Sequence, residues 1–74
     1  MIAFQGFKKS KDSIFLVLDN EGIDELIGYL NFIKNVDSSM HLNEGNELIS
    51  NNDIDDDMYY IPHVKLINLD KLDK

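Results

Sequence analysis

SIFLVLDNEGIDELIGYLNFIKN, residues 13–35, holds the two patterns that decide the fold. Its first part, Ser13 to Leu18, is a continuous apolar run of strand length, rich in β-formers, and reads as a central strand buried on both faces. Asp19 and Asn20 then supply helix-start chemistry, because their short polar side chains accept hydrogen bonds from the free N–H groups of a first turn. From there Ile23, Leu26, Ile27, Leu30 and Ile33 recur at the i, i+3, i+4 spacing of one helical face, which predicts a helix over Gly22 to Asn35 with Tyr29 and Phe32 flanking its apolar stripe. Asp24 and Glu25 near its start and Lys34 near its end match the helix dipole.

Toward the N-terminus, Met1 to Lys8 carries Ile2, Phe4 and Phe7 with Gly6 inside, a strand pattern with a potential bulge at the glycine. The turn KKSKDS follows, so this strand and Ser13–Leu18 form a hairpin. Toward the C-terminus, Val36 to Ser39 reads as a turn, Met40 to Leu42 as a short strand and Leu48–Ile49 as a further extended piece. Tyr59 to Leu69 returns to β-formers, with Pro62 restricting its early part to an edge or an irregular position. The closing DKLDK is expected to fray. Together these predict one α+β domain spanning residues 1–74, a single α-helix packed on a small antiparallel β-sheet in the order ββαβ with one or two further strands. In the second strand Phe15 and Val17 point one way and Ile14, Leu16 and Leu18 the other. The sheet face without a helix is therefore also expected to carry apolar groups, a potential self-association or partner surface.

With 74 residues, a single core is only marginally sufficient, and a partner or a second copy often completes the stability of so small a domain. The chain has no Cys, which removes disulfides and thiolate zinc sites. No stretch approaches the roughly 20 apolar residues of a membrane span, and the N-terminus has no signal-peptide pattern, so a cytoplasmic location is expected. The net charge of −7 is unevenly spread. Asn43 to Met58 contains Glu44, Glu47, Asp53, Asp55, Asp56 and Asp57 without one Lys, while the rest of the chain is nearly neutral. All basic residues are Lys, so the planar guanidinium fork that grips phosphate is missing. Nucleic acid and anionic membranes are disfavoured as partners, and a basic protein is the complementary case.

Candidate chemistry is sparse. Asp53, Asp55 and Asp57 match positions one, three and five of a calcium loop, but Met58 stands where the glycine is required and Val64 where the bidentate acid is required. No metal or other cofactor is expected. His41 and His63 lack partners at ligand spacing and read as structural histidines with one ring nitrogen bonded to backbone. The serines show no nucleophile elbow, and no phosphate-cradling glycine loop is present, so no catalytic residue and no enzyme activity is expected. Tyr59 and Tyr60, directly after the aspartates, read in two ways. In an alternating strand one faces the core and the other solvent; an exposed Tyr beside acids is also a typical interface anchor.

The segment LDNEGIDELIGYLNFIKNVDSSMHLNEGNELI, followed by YYIPHVKLINLD, resembles the small bacterial immunity proteins of polymorphic toxin systems, in particular the Imm32-like group. The resemblance lies in the opening strand, the Glu21–Gly22 start of a Leu-rich helix, the His41–Leu42 pair on a short strand, a variable polar stretch and a closing strand. Ser39 stands where a second His is expected in that group, and the Asn51–Asp57 insertion is longer and more acidic. What the resemblance implies is a non-catalytic protein that binds and neutralises a cognate toxin. The contact surface expected on that reading is Glu44, Glu47, Asp53, Asp55, Asp56, Asp57, Tyr59 and Tyr60, set against a basic surface of the toxin, with a homodimer also open. The rival readings are a homo-oligomeric structural or regulatory domain pairing through the helix-free sheet face or the edge near Pro62, and a small cation-binding protein.

Overall fold

The computed structural model describes residues 1–49 and 56–72. The chain runs β1 (Ile2–Phe7), β2 (Ser10–Leu18), α1 (Asn20–Asn35), β3 (Ser39–Asn43), β4 (Met58–Tyr60) and β5 (His63–Ile67), closed by a 3-10 turn at Leu69–Lys71. Among the described residues it is an α+β fold with a single α-helix and small antiparallel sheets. The strands divide into two: a three-stranded sheet in the order β2-β1-β4 and a β3-β5 ribbon.

The β1–β2 hairpin pairs Ile2 with Leu18, Phe4 with Leu16 and Gly6 with Ile14, and the register shifts between Gly6 and Phe7 as a bulge. Residues directly opposite share a face. Ile2, Phe4, Leu16 and Leu18 thus share the face that meets α1, and Ala3, Gln5, Phe15 and Val17 the other. In the ribbon, Met40 lies opposite Leu66 and Leu42 opposite Val64. Those four point inward, where Ile2, Leu42 and Leu48 form the fully buried centre, with Phe4, Leu18, Leu26, Tyr29, Met40, Val64 and Leu66 packed against it. Each buried aliphatic side chain contributes about 1.5–3 kcal/mol relative to exposure.

The central strand is β1. Its residues Ile2, Ala3, Gln5 and Gly6 are buried, whereas the expected central strand β2 lies at the sheet edge with Ile14 67%, Phe15 50% and Leu16 44% exposed. An unbroken apolar run is equally compatible with burial inside one chain and with an open association surface, and among the described residues the strand has a neighbour on one side only.

The helix starts two residues before the expected Gly22, with Asp19 as its N-cap: the carboxylate accepts from Gly22 N–H at 2.7 Å and binds the Met1 amino group at 2.6 Å. Its inward face is rotated from the expected stripe. Gly22 and Ile33 are buried, and Leu26 and Tyr29 reach the core, but Ile23, Ile27 and Leu30 are 43%, 52% and 45% exposed. The cause is the close approach of Gly22 to the Met1 backbone, where an added Cβ would overlap the Met1 carbonyl oxygen. A glycine at the contact lets the helix settle onto β1 by its backbone, which turns part of the Ile/Leu stripe to solvent. At the other end, Asn68 ties β5 to the helix, its side-chain amide donating to Ile33 O at 2.9 Å and its N–H to Ser38 O at 2.9 Å. Among the described residues no helix is long and apolar enough to cross a membrane.

Candidate protein-interaction surface

The short strand β4 lies against β1 on the side opposite β2, with Gln5 opposite Tyr60, Gly6 opposite Tyr59 and Phe7 opposite Met58. Tyr59 and Tyr60 consequently project from opposite faces. Tyr59 stands on the face that carries Ile14, Phe4 and Leu16, and its ring lies over Gly6, in the space a Cβ would take. It is 46% exposed. Because Ile14 is the other cross-strand neighbour of Gly6, and Leu16 the next residue on that face, Ile14, Tyr59 and Leu16 form one exposed apolar patch beyond the cover of the helix.

Charges of both signs rim this patch, Asp56 and Asp57 beside Lys8 and Lys9 of the β1–β2 turn. Lys8 N–H donates to Asp57 O at 2.7 Å, which anchors the end of the acidic segment to the β1–β2 turn. Asp57 Oδ1 lies 3.6 Å from Lys9 Nζ, both side chains being at least half exposed, a pair of small energetic weight. Asp56 is exposed beside it. Asp53 and Asp55 lie outside the described residues.

Glu44, Glu47 and Tyr60 belong to a different part of the molecule. Glu44 N–H donates to Pro62 O at 2.9 Å, and its side chain is exposed. Glu47 is half-buried, and its Oε1 accepts from Asn43 N–H at 2.9 Å, closing the turn in which Asn43 O also accepts from the Asn46 and Leu48 N–H groups. Gly45 takes the left-handed φ of 83° that this turn needs. The Tyr60 hydroxyl is buried and has no hydrogen-bond partner among the described residues. Burial first, and then the charge of Glu44, raise its pKa above the ordinary tyrosine value. Of the eight residues expected at the surface, the structure thus brings Asp56, Asp57 and Tyr59 together and sets Glu44, Glu47 and Tyr60 apart from them. It adds Ile14 and Leu16, two residues of a strand expected to be buried on both faces.

Residues Glu44, Gly45, Asn46, Leu48 and Ile49 line an open depression of about 270 Å³. This is smaller than the roughly 300–1,000 Å³ of a small-molecule site. No group of three or more metal-ligating side chains occurs among the described residues.

The histidines behave differently from expectation. On the β3-β5 ribbon His41 lies opposite Lys65 and His63 opposite Asn43, so the two rings share the outer face as diagonal neighbours. His41 Nδ1 meets His63 Nε2 at 2.7 Å, replacing the expected backbone partner. The ring centroids are 5.0 Å apart and the planes 17° from parallel. That separation is what two rings give when they meet nitrogen to nitrogen, edge on and nearly in one plane. The lone pair of one nitrogen therefore points at the proton of the other, an arrangement for sharing a proton and not for converging on a metal ion. The register that joins them follows from strand pairing 22 residues apart, so no local spacing announces it.

Comparison of the chain with protein-family models, curated proteins and solved structures found no significant match.

Proposed function

We propose that this chain is a non-catalytic immunity protein that binds a cognate bacterial toxin in the cytoplasm and blocks it. The observation that carries the reading is Tyr59, half exposed over Gly6 and across β1 from Ile14 and Leu16, with Asp56 and Asp57 at the margin of the patch. An apolar and aromatic centre inside a charged rim is the anatomy of a protein-binding patch, in which the centre supplies contact energy and the rim steers encounter. Asp56 and Asp57 supply the part of the rim that a basic partner surface complements. Toxins that act on nucleic acid present such a surface in their clefts, and the resemblance described above points to the same class of partner. Asp53 and Asp55 belong to the proposed contact set by sequence alone.

The test is a pull-down with this chain as bait, followed by co-expression. Support requires one larger protein that is lethal when expressed alone, is tolerated beside this chain, and is no longer neutralised by a Tyr59→Ala/Asp56→Asn/Asp57→Asn variant. Neutralisation that survives the triple substitution removes the site, and the absence of any toxic partner removes the function.

A further inference from the structure

We infer that β2 is a self-pairing edge: two copies of this chain join antiparallel through Asp12–Leu18, with Phe15 opposite Phe15 of the second copy, to make one six-stranded sheet. The inference concerns the free edge of β2; it does not require the toxin reading, although it covers Ile14 and Leu16, two residues of the patch proposed for the toxin.

Beyond its ladder with β1, the one hydrogen bond from a β2 backbone group among the described residues is local, from Asp12 N–H to Ser10 Oγ at 3.4 Å. An edge strand with free N–H and C=O groups is a template for another strand, and proteins that stay monomeric blunt such edges with charge, proline or a bulge. The extra residues of the β1–β2 bulge, Lys11–Ser13, and the charges of Lys11 and Asp12 blunt only the first part of β2; Ile14 to Leu18 contain no charge, proline or bulge. The side chains on both faces of the strand are open, with Ile14, Phe15 and Leu16 all at least 44% exposed. Pairing with a second strand would cover them from the side, as cross-strand neighbours do within a sheet.

Charge selects a second copy as the occupant and sets its direction. At the start of β2, Lys8, Lys9 and Lys11 outnumber Asp12 and the Asp57 that pairs with Lys9, and Asp19, Glu21 and Asp24 follow the strand. A strand basic at one end and acidic at the other complements itself only when antiparallel. With Phe15 at the two-fold axis, Lys11 of each copy falls opposite Asp19 of the other, and Ile14 opposite Leu16. Asp19 retains an exposed side chain, 54% accessible, although it caps α1 and binds the Met1 amino group. On the face away from the helix, Phe15 already stacks with Phe7, the centroids 6.5 Å apart. The pairing would extend this into a continuous row of four aromatic rings. A two-fold interface of this kind is closed, so association stops at the dimer.

The experiment is sedimentation equilibrium on the full chain, with circular dichroism to confirm folding of each variant. Twice the monomer mass is expected for the native chain, loss of the dimer for Leu16→Lys, and a dimer Kd raised about tenfold or more for Lys11→Glu, which turns two surface attractions into repulsions. Because the chain has no Cys, Phe15→Cys reports the register: oxidation should cross-link it efficiently and leave Ile67→Cys, an exposed control on β5, largely monomeric. A native chain that stays monomeric up to about 1 mM, or a dimer unaffected by both Leu16→Lys and Lys11→Glu, overturns the proposal. Should Leu16→Lys fail to fold, the exposed Lys11→Glu substitution decides alone. Preferential cross-linking of Ile67→Cys overturns it in favour of another face.

Discussion

The Tyr59 ring lies over Gly6 in the space where any other residue would place its Cβ, so the half-exposed aromatic of the proposed interface and the buried central strand depend on each other. Gly6→Ala should push the ring outward. Repacking of an exposed ring is cheaper than opening a core, and a loss of about 1–2 kcal/mol in denaturant unfolding is expected. Binding of the toxin partner should fall with it. A Gly6→Ala chain that binds as tightly as the native one would show that the ring position is immaterial.

Gly22→Ala should cost more, despite the higher helix propensity of Ala. The new methyl meets the Met1 backbone carbonyl and not a flexible side chain, so β1 and α1 must move apart. The propensity gain of about 1 kcal/mol is outweighed, and a net loss of about 2 kcal/mol or more is expected from urea midpoints at constant slope. Gly28, with open space around it, is the control: Gly28→Ala should stabilise by up to about 1 kcal/mol.

Tyr60→Phe should leave stability unchanged or raise it by up to about 1–2 kcal/mol, since it removes a buried hydroxyl that has no partner among the described residues. The same burial sets an alkaline limit. Burial, followed by the charges of Glu25 and Glu47, raises the pKa of Tyr29, and burial followed by Glu44 raises that of Tyr60. Their contribution is therefore complete below the unfolded value of 10.0 and is lost as pH rises through the folded values. Absorbance titration of Tyr60→Phe should lose one of the late-ionising tyrosines.

The contact between Asp19 and Met1 has two pH limits. The hydrogen bond to the amino terminus, followed by that from Gly22 N–H, holds the Asp19 pKa below its ordinary 3.8. Its contribution is present above that value and fades as pH falls through the lower folded one. The same hydrogen bond raises the Met1 amino group above 8.0. That contribution is complete below 8.0 and fades as pH rises through the folded value. Asp19→Asn keeps an oxygen for Gly22 N–H but loses the ion pair, so its melting temperature should vary less with pH at both ends.

The bond between His41 and His63 forces one tautomer on both rings. If His41 Nδ1 donates, both carry the proton on Nδ1; if His63 Nε2 donates, both carry it on Nε2. Long-range nitrogen–proton spectra at neutral to mildly alkaline pH should show matching tautomers. His63→Ala should free the His41 ring while costing only about 0.5–1.5 kcal/mol, the ordinary net value of a hydrogen bond. Mixed tautomers would rule the bond out.

By itself the sequence determined the local elements and their order. Helical spacing from Ile23 to Ile33, the Asp19–Asn20 start and the β-rich runs at both ends are set by interactions within a few residues, and they produced the helix, the hairpin, the bulge beside Gly6 and the α+β class. The tertiary structure decided which faces those elements turn inward. The Gly22 contact with Met1 selected the inward side of α1, and the pairing of β4 with the far side of β1 made β1 central and left β2 at the edge. The same pairing separated Tyr59 from Tyr60 and gathered Ile14, Leu16, Tyr59 and Asp57, residues remote in the chain. His41 and His63 met only through the register of β3 with β5. Periodicity records that a residue is apolar and when it recurs. Which neighbour covers it depends on strand order and on close backbone contacts, which are long-range and leave no local spacing to read.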